Sequence, residues 1–197
     1  MAVKITAMTI PARLPAVILF AETRGFTRTS AMLQAEVVLN QAAAFFELVR
    51  DATERNGGTL HNALNDTLMA FFMGPDRAKQ AVQAAQEIQR DFDVIEESWT
   101  RDFGIRAAVA MGLHAGDAVI GIAGDAPLMV IGDSISIATR LLHRARAGEF
   151  VISASVMDAL GENRSTLEAQ ALPPLEIPRR DPVELFGVLR DARLDFT

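Results

Sequence analysis

Two carboxylates fall where apolar runs end. Glu22 follows the run Pro15 to Phe20, within FAETRGFT (20–27), and Asp66 lies between two further apolar runs in LHNALNDTLMAFF (60–72). Acids at two strand ends, with a glycine-containing turn at Gly25 beside the first, suit divalent cations and a polyphosphate. Hard cations take carboxylate oxygens, and the successive N–H groups of a turn take anions. Each acid taken alone is better explained as solvated charge at a strand end.

The elements that must position these groups can be read from the hydrophobic period. AVILF (16–20) is a short continuous apolar run with β-branched residues, as in a buried strand. From Ala31 to Arg55 the spacing turns helical, with Leu33, Val37, Phe45, Leu48 and Ala52 on one stripe, Thr29 or Ser30 as N-cap and Asn56-Gly57-Gly58 as the stop. Thr59–Leu64 and Thr67–Phe72 read as two strands joined by a tight hairpin at Asn65-Asp66. Pro75 opens a second helix, Asp76 to about Ile95. Residues 105–123 read as a strand, a turn at Ala115-Gly116-Asp117 and a return strand. LMVI (128–131) leads through Gly132-Asp133 into a third helix, Ser134 to about Arg146. FVIS (150–153) is another strand, followed by a short helix to Leu160. A polar, irregular stretch from Gly161 to Pro174 precedes a terminal hairpin in LEIPRRDPVELFGVL (175–189), with Pro178 and Pro182 at edges or turns. This order predicts an α+β fold, a ferredoxin-like βαββαβ core with appended strands, with helices on one face of a mainly antiparallel sheet.

Composition bounds the function classes. With 197 residues, half of them hydrophobic, the chain can bury a sizeable core, and a single domain over 1–197 with its core at about 16–189 is expected. A net charge of -6 without a long Lys/Arg cluster argues against a sequence-independent nucleic-acid binder. No cysteine is present, so disulfides, thiolate metal sites and thiol nucleophiles are excluded. No apolar run reaches the length of a membrane span, and the first fifteen residues lack a signal-peptide layout, so a cytoplasmic protein is expected. His61, His114 and His143 have no ligand spacing and read as structural or solvent-facing. Trp99 and the phenylalanines read as core or dimer contacts, and Met129 as a packing residue.

Five landmarks occur in a familiar order: FAETRGFT at 20, GGTLHNALNDTLMAFF at 57, GLHAGDAVIGIAG at 112, VIGDSISIATRL at 130 and LEIPRRDPVELFGVL at 175. In these the chain resembles the catalytic domain of class III adenylate and guanylate cyclases. The resemblance implies a homodimer with composite sites at the interface, a nucleoside triphosphate as ligand, and Mg²⁺ or Mn²⁺ as cofactor. The implied reaction is attack of the ribose 3′-hydroxyl on the α-phosphorus, with release of pyrophosphate.

Matched residue by residue, the resemblance makes Asp66 one metal ligand and Glu22 the other, the latter displaced by the roughly 1.5 Å of an added methylene. Thr23, Arg24, Gly25, Phe26 and Thr27 match the turn whose backbone would cradle phosphates. Arg140 matches the arginine that stabilises charge on the transferring phosphoryl group. Ser136 stands where the family has asparagine, Asn62 where it has a purine-reading lysine, and Met129 where adenylate cyclases usually have aspartate. The lysine that holds the outer phosphates falls at Pro178, and Arg179 or Arg180 could take its role. These departures imply a degenerate site with little or no cyclase activity, serving as a dimeric nucleotide-sensing or regulatory module. The alternative is an active, Mn²⁺-dependent cyclase of relaxed base choice.

Overall fold

The computed structural model describes the backbone of residues 11–64, 67–121 and 128–190, and the side chains of these residues except Thr27 and 62–64. The turn acid Asp66 and the side chain of Asn62 therefore lie outside the described residues. The elements are β1 (Ala12–Arg24), α1 (Phe26–Met32), α2 (Ala35–Arg55), β2 (Thr59–Leu64), β3 (Thr67–Met73), α3 (Arg77–Asp91), α4 (Asp93–Phe103), β4 (Ala108–Gly121), β5 (Met129–Ile131), α5 (Asp133–Arg144), β6 (Glu149–Ser153), α6 (Ala154–Leu160), β7 (Gln170–Leu175) and β8 (Val183–Leu189). A 3-10 turn covers Gly161–Thr166.

The strands form one sheet in the order β2-β3-β1-β4-β6-β8-β7, with β5 paired to β4. Its β4-β1-β3-β2 portion is the sheet of a βαββαβ core, so the α+β, ferredoxin-like expectation holds. All pairings are antiparallel except β4 with β6. β1 is central because Val17, Ile18 and Leu19 are apolar on both faces.

The sheet has two covered faces. On one, Val17, Leu19, Ala21, Val109, Met111 and Leu113 pack under α2, α3, α4 and α6, with Trp99 and Phe92 fully inside. The alanines of α3, Ala78, Ala81, Ala84 and Ala85, let that helix lie close to the sheet. Helix α5 is the departure from the one-face expectation. Its buried stripe of Ile137, Ala138, Leu141 and Leu142 sits over Ala110 and Ile18 on the opposite face. Gly112 permits this approach, since a Cβ there would stand 2.2 Å from Leu142 N and 2.5 Å from Ala138 O.

Four local expectations are corrected. The stretch from Gly161 to Pro174, read as irregular, holds the 3-10 turn and most of β7, because residues 170–175 pair with β8. Residues 108–121 form one unbroken strand rather than a hairpin around Ala115-Gly116-Asp117, because β1 pairs with all of it, from Ala12↔Ile120 to Arg24↔Ala108. The helix expected from Ala31 to Arg55 breaks at Leu33, whose backbone is extended, and Thr29 is no N-cap of the long helix. It lies inside α1 and donates its hydroxyl to Gly25 O at 3.0 Å. The helix expected from Asp76 bends at Phe92, which anchors the joint by an edge-to-face contact with Phe45 at 5.9 Å.

Candidate functional site

Alternation along β1 decides where the first acid points. Ala16 and Ile18 face α5 while Val17, Leu19 and Ala21 face α2 and α3, so Glu22 and Arg24 share the α5 side and Thr23 turns into the opposite core. Arg24 forms an ion pair with the half-buried Glu22, and its Nη2 donates to Leu142 O at 2.9 Å and Ala145 O at 3.1 Å. Those carbonyls are at the C-terminal end of α5, which carries the helix's partial negative charge. One guanidinium therefore neutralises the acid and ties the end of β1 to the end of α5. The backbone partner of Glu22 across the sheet is Thr67, the first residue of β3.

The turn after β1 depends on Gly25, whose φ of 96° is a left-handed conformation that side chains disfavour. A Cβ there would also come to 3.0 Å of Arg106 O. Thr23 and Arg24 belong to the β1–β4 ladder opposite Val109 and Ala108. Helix-start N–H groups, which have no intrahelical acceptor, therefore begin only with α1 at Phe26. Phe26 and Thr23 line a small cavity of about 200 Å³ with Phe45, Phe46 and Trp99, an apolar space on the far side of the sheet from Glu22. Thr27 is in α1, and its side chain is outside the described residues.

Ser136 and Arg140 stand one turn apart on the exposed side of α5. Ser134, on the inner side, donates to Asp117 O at 2.9 Å and fixes the helix start. Along β5 the pattern alternates: Val130 is buried, while Met129 is 41% and Ile131 58% exposed. Met129 is thus a surface residue, not the packing residue its apolar character suggests. The loop between β7 and β8 reaches the same region, because Arg180 pairs with Asp133 at the start of α5. Arg179 beside it is exposed, with φ of 65°.

The site residues therefore fall into two groups. Glu22 and Arg24 meet the C-terminal end of α5, while Arg179, Arg180 and Asp133 meet at its N-terminal end, about 18 Å away for twelve residues at 1.5 Å each. Ser136 and Arg140 lie on the exposed side of α5 between them, and Met129 is exposed on β5, ahead of the start of α5.

Among the described residues no three His, Cys, Asp or Glu side chains are grouped to hold a metal ion. Glu22 also already carries a guanidinium. The described residues by themselves do not fit a two-cation centre.

The three histidines are structural or surface residues, as expected. His114 is buried on β4, with Nδ1 2.9 Å from Ser153 Oγ; Ser153 Oγ is in turn 2.9 Å from Ser155 Oγ, and Ser155 donates to Ala115 O at 2.8 Å. Burial lowers the His114 pKa to about 4. His61 is lowered by burial against Phe71. His143 is exposed at the end of α5.

Sequence reading missed a group of arginines. Arg28, Arg106 and Arg146 join Arg24 around one cleft, although they come from three distant segments. The only trace in the sequence is an arginine beside each of three element boundaries. Among the described residues no helix is long and apolar enough to cross a membrane.

The adenylate and guanylate cyclase catalytic domain family matches residues 12–189. The terminal-differentiation-specific adenylate cyclase of Dictyostelium discoideum is 24% identical over 187 residues, which is 90% of this chain but only 9% of that relative's length. Among solved structures, the adenylyl cyclase CyaB from P. aeruginosa superposes with a TM-score of 0.84 at 21% identity, covering 94% of this chain and 98% of that one. The non-canonical dimeric guanylyl cyclase domain of the RhoGC fusion protein from the aquatic fungus Blastocladiella emersonii gives 0.77 at 19% identity, covering 90% and 98%. The family match over residues 12–189 spans most of the chain, and the chain belongs to the adenylate and guanylate cyclase catalytic-domain family.

Proposed function

We propose that this chain is a class III cyclase-homology module with little or no turnover, which pairs with a second copy and binds a nucleoside triphosphate as part of a signalling device. The carrying observation is the exposed Met129. At the position where an adenylate cyclase presents a base-reading aspartate to its partner, this chain offers a thioether, which cannot discriminate polar base edges. Ser136, also exposed, offers one hydroxyl where an amide is the family norm. If each lost polar contact costs about 1–3 kcal/mol in the transition state, three or four losses slow the reaction by several powers of ten.

Two features support pairing through the outer face of α5 and β5. Met129 and Ile131 are apolar and exposed there, and a relative's domain of the same fold has been solved both as a non-canonical dimer and as a monomer, so pairing is within the fold's reach. In such a pair Arg140 of one copy would meet the β1 end of the other, where Arg24 holds Glu22. A second reading, an active Mn²⁺-dependent cyclase, is favoured by one observation: Arg140, the match to the family's arginine, is exposed on α5.

Calorimetric titration with Mn²⁺ and a non-cyclisable ATP analogue tests the proposal. Saturable binding is expected, with one nucleotide per chain. Absence of binding would reject nucleotide sensing and leave a scaffold.

A further inference from the structure

The cavity of about 200 Å³ that α1, α2 and α4 enclose with β1 and β3 has a buried floor and an open mouth. Phe45, Leu68 and Trp99 are buried at its base, Phe26 and Phe46 are half-buried, and Leu39 stands 68% exposed at the rim. No charged side chain lines it, and its polar side chains are Thr23 and Gln41. Water, which needs two to four polar partners, is poorly served there.

Its aromatic walls are held from behind. Phe45 meets Phe92 edge-to-face at 5.9 Å, and the Arg50 guanidinium lies 5.9 Å from the centre of the Phe46 ring. Trp99 comes from α4, and its buried Nε1 has no acceptor, so packing alone fixes the indole. Size then selects the occupant. An apolar cavity of about 150 Å³ is enough to stay dry and take up benzene. Drug-sized ligands need about 300 Å³ or more, so a nucleotide or a partner helix is too large for this space.

We infer that this cavity is a binding site for a compact, uncharged, mainly hydrocarbon ligand of one ring, seated among Phe26, Phe45, Phe46 and Trp99. Such an occupant would brace α1 against α2, whose junction at Leu33 is extended backbone. The inference goes beyond the proposed function, because it requires no nucleotide, no cation and no turnover.

The test is titration of the intact protein with toluene, read by the emission of Trp99, the one tryptophan of the chain. A saturable change is expected, with half-saturation at about a millimolar or below and a raised melting temperature. Ala42→Leu puts a larger side chain into the half-buried wall and should weaken binding roughly tenfold or more. Ala43→Leu, at the exposed rim, should weaken it as well and keeps the test valid if Ala42→Leu does not fold. Benzoate has the same ring with a charge, and should give no saturable change at the same concentrations, because nothing in the cavity pairs with a carboxylate. No saturable response to toluene, binding equal to wild type in every folded variant, or benzoate binding as well as toluene overturns the inference. So does a Trp99 emission that changes with protein concentration alone and ignores toluene, which would give the cavity to a second copy of the chain.

Discussion

His114 makes the stability of this fold depend on pH in a way that can be isolated. The ring is 8% exposed on β4, and burial holds its pKa at about 4, against an ordinary value of 6.5. Between these values the unfolded chain binds a proton that the folded chain does not, so stability falls as pH falls through that window and is constant above it. The full difference corresponds to about 3 kcal/mol, of which about 2.5 kcal/mol is lost by about pH 4.5. Carboxylates titrate nearby, so the effect must be read against His114→Gln, which keeps an amide within reach of Ser153 but cannot be protonated in this range. Urea denaturation of both proteins between about pH 7.5 and 4.5 should show the stability difference shifting by about 2.5 kcal/mol, against the wild type at the acidic end. A difference that stays constant with pH would refute the buried, neutral ring.

Other perturbations follow from contacts already described. Gly112→Ala would drive a methyl into the backbone of α5 and should cost at least about 2 kcal/mol in chemical denaturation, because a helix backbone cannot yield as a side chain can. Gln89→Leu should cost roughly 1–3 kcal/mol in the same assay, since Gln89 Nε2 is buried and serves Gly148 O at 2.7 Å and Val188 O at 3.2 Å. The triple change Asn62→Lys, Met129→Asp, Ser136→Asn should raise ATP cyclisation by about a hundredfold or more, read as cyclic AMP. Adding Arg140→Ala to that variant should abolish the gain while shifting stability by less than about 0.5 kcal/mol, as for an exposed residue.

Where a segment's period matched its environment, the sequence was enough to read it. AVILF predicted the buried β1, the third helix expected from Ser134 to about Arg146 is α5 at Asp133–Arg144, and the two runs around Asn65-Asp66 are β2 and β3. Glycine misled at 116. Its reading as a turn residue overlooked a second use, for the added Cβ would stand 3.2 Å from Ser134 Cβ inside an extended strand. Helix breaks at Leu33 and Phe92 were invisible because neither carries a Gly or Pro, and tertiary packing decides them. That α5 crosses to the other face depends on Gly112, a residue whose significance appears only when the helix lies over it. The site was half legible. Landmark order singled out Glu22, Ser136, Met129 and Arg140 as candidates, but the Glu22–Arg24 pair and the arginine cleft are products of folding, joining residues as far apart as Arg24 and Arg146.

The most direct measurement is cyclic nucleotide formation by the purified protein with ATP or GTP at saturating Mn²⁺, followed over a range of protein concentrations. Product at the no-protein background, from protein that still binds the ATP analogue, is the expected result. Robust turnover that disappears in Arg140→Ala and in Asp66→Ala would contradict it and establish a working cyclase.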